Sequence, residues 1–516
     1  MQYSWVNKEV EKNKMKSISF AGVVFCALAI SQQTWSSEIL VIFPTTAQSH
    51  YRVVRPLIHS LLDRGHKILA ITNFPDTVER ANLSHIDIAG LKPHSKIKTT
   101  GDYGIIKMIS RISKNANTYA TILNHPPVVK LLQSGRKFDL VIAEFFTSTP
   151  IFAPIAEAVD APIVGFCPMT SFPWIHEVMG METTMSYMPS LISASGNHMS
   201  FFQRISNTLK SVVIDIGFNW IYTRVIRDII KHHYGIETES VIKSMANLSM
   251  IMTNNYHSVF LSYPTLPGIV EVGGIHVVDE KPIPQDLNDF INNADHGVIL
   301  FSLGSIVSEE SLGTDKLYNI LDAFSKLKQR VIMKFDVEKR NIQLPMNVKV
   351  VKWFPQRDLL AHPKVLLFIT HAGMMSVIET IHCGKPIVAI PIFGDQIFNS
   401  HLLVEKQVAV IVEYKHLESD QLFNAINEAL TEKYIINMKK LQQLYNDRPH
   451  SPLETAIYWT EYIIRNKNES KELLKSQKVH LNLHQSYLID VFTVLLLPLI
   501  IAVYITLWTM KRLRKH

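Results

Sequence analysis

The sequence predicts a fold of two α/β domains that face a shared cleft, followed by one C-terminal transmembrane helix. Three observations predict it. Short runs of Val, Ile and Leu alternate with stretches of helical periodicity, which is typical of parallel sheets covered by helices. The pattern pauses near residues 266–284, where Pro and Gly cluster, and then begins again. Finally, residues 491–510 form an uncharged apolar run that is directly followed by basic residues.

Length, composition and charge exclude several classes of protein. A chain of 516 residues with 47% apolar residues, 19% charged residues and three cysteines is not a disordered protein, a collagen-like repeat or a disulfide scaffold. The formal net charge is +7, but residues 1–16 and 511–516 supply +6 of it. Because the part between them is almost neutral, we expect no nucleic-acid partner.

The two longest apolar runs lie beside these charged ends. Residues 18–30 are uncharged but short for a bilayer, so residues 1–36 are predicted to be a signal-peptide region, with an uncleaved anchor as the alternative. Residues 487–510 are predicted to be a transmembrane helix and 511–516 a cytosolic basic tail, with a buried core helix as the alternative. The body would then lie in a lumen or outside the cell.

A lumenal body would have two chemical consequences. Asn82, Asn247 and Asn468 each begin an Asn-x-Ser triplet, which is the acceptor sequence for N-linked glycans. Once the signal peptide is removed with its single cysteine, Cys167 and Cys383 remain. They either form one disulfide or stay as two free buried thiols, and the sequence leaves both alternatives open.

The alternation of strands and helices gives the domain limits. The first domain is predicted over residues 37–268, with strands at 39–43, 67–71, 140–143 and 163–166, a helix at 51–64 and a long helical stretch at 201–233. The second domain is predicted over 269–455, with strands at 298–301, 331–334, 348–351, 366–370 and 387–391. Residues 456–486 are predicted to be a return and juxtamembrane segment. Since α/β proteins bind ligands beyond the carboxyl ends of their strands, functional residues are expected in the loops there.

The strand predicted at 366–370 leads into a candidate phosphate site. His371 follows the strand, and Gly373 stands where the next helix begins, so that free backbone amides and the helix dipole would favour a phosphate. Ser376 and Glu379 share one face of that helix, where a carboxylate can accept hydrogen bonds from a ribose diol. Taken singly, His371 and Glu379 could be a core histidine and a helix-surface carboxylate.

Together with a flat aromatic surface at Trp353, these residues agree with one family signature. Its elements are Trp-x-Pro-Gln at 353–356, Thr-His-x-Gly at 370–373, Glu379 eight residues after the His, and the closing pair Asp395 and Gln396. Over these 44 residues the chain resembles the UDP-glycosyltransferases, the membrane-bound UDP-glucuronosyltransferase-like family, in its invertebrate form. The resemblance extends over almost the whole chain and implies the GT-B fold, in which two Rossmann-like domains face a cleft.

The resemblance also implies the residues that bind the UDP-sugar donor. For the nucleoside, Trp353 would stack on uracil, and the ribose would be held by Gln356 and Glu379. The diphosphate would be bound by His371, Gly373 and Ser376, with a second phosphate-side loop at Gly304 and Ser305. The sugar hydroxyls would be bonded by Asp395 and Gln396. Ala372 and Met375 depart from the vertebrate pattern, where Gly and Asn are common. The Met-Met-Ser sequence at 374–376 is more similar to the invertebrate members, which generally prefer UDP-glucose. The resemblance therefore favours UDP-glucose as the donor, with UDP-glucuronate as the second candidate.

The catalytic base is expected in the first, acceptor-binding domain. The strand at 39–43 leads through a loop to His50, and in the family the His at this place removes the proton of the acceptor hydroxyl. Glu144 follows the strand at 140–143, where the family often has Asp, and would orient the imidazole. Without the resemblance, His50 could be a histidine bonded to solvent and Glu144 a structural carboxylate.

The predicted function is the transfer of a hexose to the hydroxyl group of a small lipophilic acceptor, with inversion and without a metal or another cofactor. Residues 169–188 could line the acceptor pocket, although core packing or contact with a membrane would explain them equally well. We expect catalytic domains in the lumen of the endoplasmic reticulum, attached to its membrane by a single-pass helix, and a protein that can form a homo-oligomer. A catalytically inactive UDP-sugar-binding or partner protein is the alternative.

Overall fold

The computed structural model describes most of the chain. The described residues are 36–91, 105–190, 195–196, 198–234, 245, 248–260, 262–304, 312–336 and 342–514. Of the residues singled out in the sequence, Asn247 and Ser305 lie outside the described residues, as does nearly all of the predicted signal-peptide region.

A parallel sheet of seven strands forms the first domain. The strands are β1 Glu38–Phe43, β2 Lys67–Thr72, β3 Leu83–Asp87, β4 Leu140–Glu144, β5 Ile163–Cys167, β6 Leu248–Thr253 and β7 Ile269–Glu271. Their order across the sheet is β3-β2-β1-β4-β5-β6-β7. The strands β1, β4 and β5 are buried along nearly their whole length, because helices cover both faces of the sheet. The boundary predicted between residues 268 and 269 falls just before β7, which is still a strand of this sheet.

The helices of the first domain lie between its strands along the chain, as crossover connections between parallel strands require. They are α1 Gln48–Asp63, α2 Ile105–Leu123, α3 Pro126–Gln133, α4 Ile155–Ala158, α5 Pro173–Met179, α6 Phe201–Trp220 and α7 Arg227–Tyr234. The helical stretch predicted at 201–233 is therefore divided into α6 and α7, which are joined by the π-helical turn Ile221–Ile226.

A second parallel sheet, of six strands, forms the second domain. Its strands are β8 Val298–Ser302, β9 Arg330–Lys334, β10 Val348–Val351, β11 Val365–Thr370, β12 Ile387–Ala389 and β13 Ala409–Ile411, in the order β10-β9-β8-β11-β12-β13. Its helices are α8 Gln285–Asn292, α9 Thr314–Ser325, α10 Gln356–Ala361, α11 Met374–Cys383, α12 Asp395–Glu405, α13 Ser419–Ala429 and α14 Glu432–Asn446. The prediction of two α/β domains with parallel sheets is thus confirmed.

The chain then returns to the first domain before it reaches its apolar C-terminal helix. The last helices are α15 Pro452–Arg465, α16 Ser470–Leu473, α17 Leu483–Ser486 and α18 Ile489–Leu513. Ala456 and Ile463 of α15 lie in the same apolar cluster as the residues of β1 and α1. Arg64 at the end of α1 pairs with Glu461 of α15, with Nε and Oε1 2.6 Å apart.

The helix α18 has the properties of a membrane span. It is 25 residues long, apolar, and 0% of its most apolar window is buried against the rest of the described chain. That exposure contradicts the alternative of a buried core helix, since apolar side chains of this number are not left in water. The cysteine alternatives are also decided, because Cys167 and Cys383 are both free and buried.

Candidate active site

His50 and Glu144 meet at the carboxyl ends of two neighbouring strands. Because β1 and β4 are parallel partners, the loop after β1 and the last residue of β4 lie at the same edge of the sheet. Nδ1 of His50 is 2.7 Å from Oε1 of Glu144. The His50 side chain is 20% exposed, whereas that of Glu144 is 0% exposed. The carboxylate engages one ring nitrogen and leaves Nε2 for another partner.

The buried carboxylate of Glu144 depends on this contact. Its second oxygen, Oε2, has no hydrogen-bond partner within the described part of the chain. A buried carboxylate needs hydrogen bonds or a positive charge to offset its lost hydration. Within the described part of the chain, the side-chain hydrogen bond that meets this carboxyl group is the one with Nδ1 of His50, which ties the two residues together at the edge of the cleft.

A line of aromatic rings runs from His50 toward α6. The ring of Phe146 meets His50 edge-on, with centroids 4.7 Å apart. Phe172 lies 5.5 Å from Phe146 and 6.1 Å from Phe218 of α6, again between centroids. Phe172 and Trp174 are buried, so this part of the segment 169–188 packs in the domain interior beside the candidate base.

On the second domain, His371 is held between two glycines. A Cβ atom at Gly304 would lie 2.7 Å from Cε1 of His371, and one at Gly373 would lie 2.5 Å from Nε2. No side chain fits at either position unless the imidazole moves. Gly304 also has a φ of +85°, a conformation that favours glycine. The two predicted phosphate-side elements therefore come together around this imidazole.

Lys334 supplies a positive charge on this side of the cleft. It ends β9, and its Nζ donates a hydrogen bond of 3.2 Å to the carbonyl oxygen of Gly304. Burial, and the nearby charge of Lys334, lower the pKa of His371 to about 4. His371 is therefore neutral at pH 7 and can contribute only a hydrogen bond to an anion.

Gln356, Ser376 and Glu379 form a hydrogen-bonded group across α10 and α11. Nε2 of Gln356 donates to Oε2 of Glu379 at 2.6 Å and to Oγ of Ser376 at 3.1 Å. The Glu379 side chain is only 13% exposed, which contradicts the alternative of a helix-surface carboxylate. Burial raises the pKa of Glu379 to about 7, although the bond from Gln356 and the charge of Arg52 oppose the shift. Ser376 lies with the residues predicted to hold a ribose.

Side chains from both domains approach Trp353, the predicted base-stacking surface. Its side chain is 49% exposed. The guanidinium of Arg52, two residues after His50 on α1, lies 4.7 Å from the indole centroid, and Nζ of Lys334 lies 4.0 Å from it. Such cation–π contacts contribute about 0.5 to 1 kcal/mol at exposed sites.

Asp395 and Gln396 begin α12 at the floor of the cleft. Burial raises the pKa of Asp395, whereas the hydrogen bond from Asn399 at 2.9 Å and the charge of His50 lower it. His50 and Asp395 thus interact electrostatically across the cleft. Oε1 of Gln396 accepts the backbone N–H groups of Ile392 and Phe393 at 2.9 and 3.1 Å, which leaves its amino group for a ligand.

Comparison with known proteins decides the family. The family model "UDP-glucoronosyl and UDP-glucosyl transferase" matches residues 27–515. The chain belongs to this family. It is therefore a UDP-glycosyltransferase, and the arrangement of its two sheets is the GT-B fold.

Two relatives cover nearly the whole transferase. UDP-glucosyltransferase 2 of Dactylopius coccus is 34% identical over 488 residues, covering 93% of this chain and 94% of the relative. UDP-glucuronosyltransferase 1A5 of Homo sapiens is 28% identical, covering 93% and 92%. Among solved structures, the glycotransferase of kitacinnamycin matches with a TM-score of 0.57 at 15% identity, covering 84% of this chain and 99% of that one, which supports the fold alone.

Three residues of the transferase cleft were not identified from the sequence. Lys334 could have been found, because it ends a predicted strand and the carboxyl ends of strands are where ligands bind. Arg52 approaches Trp353 only through the packing of one domain on the other. His276 is buried in the linker, with Nε2 3.8 Å from Oε1 of Glu379, and no local pattern marks it.

The two departures from the vertebrate pattern have a structural account. Ala372 has a φ of +60°, so the chain keeps a left-handed conformation in which glycine would be unstrained. Met375 packs against the apolar cluster of β1 and α1, in the first domain. The side chain of Met375 therefore makes an apolar contact between the two domains, at a position where the Asn of the vertebrate pattern would present a polar side chain.

Proposed function

We propose that this UDP-glycosyltransferase transfers glucose from UDP-glucose to a hydroxyl group of small lipophilic acceptors, with His50 as general base. The observation that carries the proposal is the contact of 2.7 Å between His50 and Glu144, together with the electrostatic interaction of His50 with Asp395 on the donor side. This arrangement supports proton removal next to the bound sugar.

The proposed reaction is a single displacement. Nε2 of His50 takes the acceptor hydroxyl proton, the oxygen forms a bond to the anomeric carbon, and the bond from that carbon to the diphosphate breaks on the opposite side. UDP leaves with the bonding electrons, and the configuration inverts. Glu144 stabilises the imidazolium. Lys334 and the backbone amides at the start of α11 take up charge on the diphosphate, so that no metal or other cofactor is required.

The preference for glucose rests on the relatives. The Dactylopius coccus protein at 34% identity is named a UDP-glucosyltransferase, whereas the human protein at 28% identity is named a UDP-glucuronosyltransferase. The lipophilic nature of the acceptor is supported by the rings of Phe146 and Phe172 beside His50. Flat apolar rings next to the base would bind the apolar body of a phenol or a similar acceptor.

We also propose that the two domains lie in the lumen of the endoplasmic reticulum, held by α18, with the basic end in the cytosol. Asn468 is exposed and begins a glycan acceptor triplet. If the domains are lumenal, removal of N-linked glycans should increase the gel mobility of the protein, and Asn468→Gln should abolish part of that change. A mobility unaffected by glycan removal would contradict this orientation. Homo-oligomer formation stays a prediction.

The donor proposal can be tested with membranes that contain the full chain. The membranes are incubated with labelled UDP-glucose, UDP-glucuronate or UDP-N-acetylglucosamine and a panel of phenols. We expect the fastest transfer from UDP-glucose, with a β-glucoside as product, and little effect of a chelator. Faster transfer from UDP-glucuronate would overturn the choice of donor. UDP-sugar binding without transfer from any donor would favour the catalytically inactive alternative.

A further inference from the structure

Arg52 belongs to the first domain, but its side chain lies beside groups of the second. On α1, its neighbours Tyr51, Val53 and Val54 are buried in the apolar cluster that α1 forms with β1. Arg52 itself is exposed. The proposed reaction assigns this cation no role, although it lies only two residues after His50.

Two groups of the proposed nucleoside site meet Arg52. Its guanidinium carbon lies 4.7 Å from the indole centroid of Trp353, the predicted base-stacking surface. Burial lowers the pKa of Arg52, and the charge of Glu379 raises it. Burial raises the pKa of Glu379, whereas the bond from Gln356 and the charge of Arg52 lower it. The guanidinium is therefore placed between the groups that are proposed to bind the uracil and the ribose.

A second contact between the domains keeps α1 in this place. Met375, near the start of α11, packs against the apolar cluster of β1 and α1. The next residue, Ser376, accepts the hydrogen bond from Gln356 at 3.1 Å. The position of Arg52 therefore does not rest on the reach of one long side chain, because the cluster that holds its helix also contacts α11.

Two other cations near this place are engaged elsewhere. Arg55, on the next turn of α1, donates a hydrogen bond of 2.8 Å from Nε to Oδ1 of Asp76 in the first domain. Nζ of Lys334 lies 4.0 Å from the indole centroid, but it donates to the carbonyl oxygen of Gly304 on the phosphate side. Arg52 is thus the cation that the first domain directs at the nucleoside site.

We propose that Arg52 is a further donor-binding residue, whose guanidinium stacks on the face of the uracil that is turned away from Trp353. A planar guanidinium stacks on a base as an aromatic ring does, and its charge is attracted to the π-face. The base would then lie between groups of the two domains, with the indole on one side and the guanidinium on the other. This inference rests on the proposed nucleoside site at Trp353.

The stacked arrangement requires a small movement of Arg52. Two layers of stacked planes need about 7 Å between the indole and the guanidinium, since carbon atoms in contact are about 3.5 Å apart. Arg52 must therefore withdraw by about 2 Å from its distance of 4.7 Å. A change of rotamer in a long, exposed side chain permits this movement, and the charge of Glu379 keeps the guanidinium at the site.

The proposal gives two residues of α1 different effects on the kinetics. His50 acts on the acceptor proton, so its loss should lower kcat. Arg52 would act on the bound nucleoside in both the ground state and the transition state. Arg52→Ala should therefore raise the KM for UDP-glucose by about tenfold and leave kcat within about threefold.

Calorimetry on the full chain in detergent tests the contact without catalysis. Arg52→Ala should weaken UDP-glucose by about tenfold, and uridine, measured by competition with UDP, by the same factor, because both ligands contain the nucleoside. Arg52→Lys keeps the charge without the planar group and should still bind both about threefold more weakly than the unsubstituted protein. Arg55→Ala is the matched control, since Arg55 is an exposed arginine of the same helix with a partner in its own domain. It should leave both affinities unchanged.

Three results with Arg52→Ala would overturn the proposal. Unchanged affinity would remove Arg52 from the site. A gain in affinity would mean that Arg52 covers the indole and competes with the base. A loss for UDP-glucose but not for uridine would place the contact at the diphosphate or the sugar. An unchanged unfolding temperature shows that each variant is folded.

Trp353→Ala separates a failure of this inference from a failure of the proposed site. If Trp353→Ala weakens uridine and Arg52→Ala does not, the nucleoside site stands and the role of Arg52 is wrong. If Trp353→Ala leaves uridine binding unchanged, the nucleoside site itself is wrong, and the inference falls with it. If both residues hold the same base, the losses in the double variant should be smaller than the product of the two single losses.

Discussion

The two sides of the cleft hold their ionisable groups differently. On the acceptor side, His50 bonds Glu144 at 2.7 Å and keeps 20% of its side chain exposed. On the donor side, burial lowers the pKa of His371 to about 4 and raises that of Glu379 to about 7. The acceptor side has a hydrogen-bonded pair that reaches the surface, whereas the donor side has largely desolvated groups whose shifted pKa values reduce their charge.

This difference suggests how each side contributes to the reaction. In the proposed mechanism, His50 takes a proton from each acceptor, and its partial exposure lets an acceptor reach it. Groups in a desolvated site gain when a ligand supplies the hydrogen bonds that water no longer makes. Substitutions on the acceptor side should therefore change the rate of transfer, and those on the donor side should change the affinity for UDP-glucose.

The largest expected effect is the loss of the candidate base. His50→Ala should lower kcat by about 10² to 10⁴, since that is the usual contribution of a general base. Calorimetry should show unchanged UDP-glucose binding. His59→Ala is the matched control, because His59 also lies on α1 and contacts a carboxylate, Asp76, with Nε2 and Oδ2 2.8 Å apart. Full activity of the His50 variant would reject it as the base.

The second largest effect is expected from a substitution that clashes with His371. Gly304→Ala places a methyl group 2.7 Å from Cε1 of His371 and strains a φ of +85°. We expect UDP-glucose affinity to fall by about 10 to 100-fold, because the phosphate-binding elements shift apart. Gly65→Ala is the control, since Gly65 has a φ of +90° with nothing within 4 Å of an added Cβ. Both variants should lose about 1 kcal/mol of folding stability, so equal affinities would show that the His371 contact has no role.

The raised pKa of Glu379 predicts a pH dependence of smaller size. Below pH 7 its carboxyl is increasingly protonated, and above it the carboxylate can accept both hydroxyls of a ribose. UDP-glucose binding should therefore strengthen by about tenfold as pH rises from 6 to 8, with release of a proton, since hydrogen bonds to the ionised form favour it. Calorimetry in buffers of different ionisation enthalpy measures that proton.

One substitution would show whether Glu379 is the group responsible for this pH dependence. Glu379→Gln should bind more weakly at pH 8 and lose most of the pH dependence. UDP-glucose, unlike UDP, has no terminal phosphate that titrates in this range, so its own ionisation does not interfere. An unchanged pH profile in the Glu379 variant would assign the titration to another group.

The strands predicted from the sequence were those with continuous apolar runs. β3, Leu83–Asp87, was missed because it is an edge strand with only two apolar residues, separated by two polar ones. β6, Leu248–Thr253, was missed because Ser249 and Thr253 leave it only a short apolar run. β7 and β13 have only three residues each, too few to show a period. The motif residues could be placed because each follows a strand or begins a helix. Arg52 and His276 could not, since their neighbours come from elements far apart in the sequence.

The smallest expected effect concerns the departure at Ala372. Its φ of +60° places an alanine where glycine would be unstrained, and Asn399 donates a hydrogen bond of 3.0 Å to its carbonyl oxygen. Ala372→Gly relieves about 1 kcal/mol of strain but allows the unfolded chain more freedom, so the two effects should nearly cancel. Transfer rate and UDP-glucose affinity should stay within about twofold, as the backbone already has the required conformation. A large gain in the transfer rate would instead mean that Ala372 itself limits the reaction. The contrast between the desolvated groups of the donor side and the exposed His50 pair would then not determine the rate.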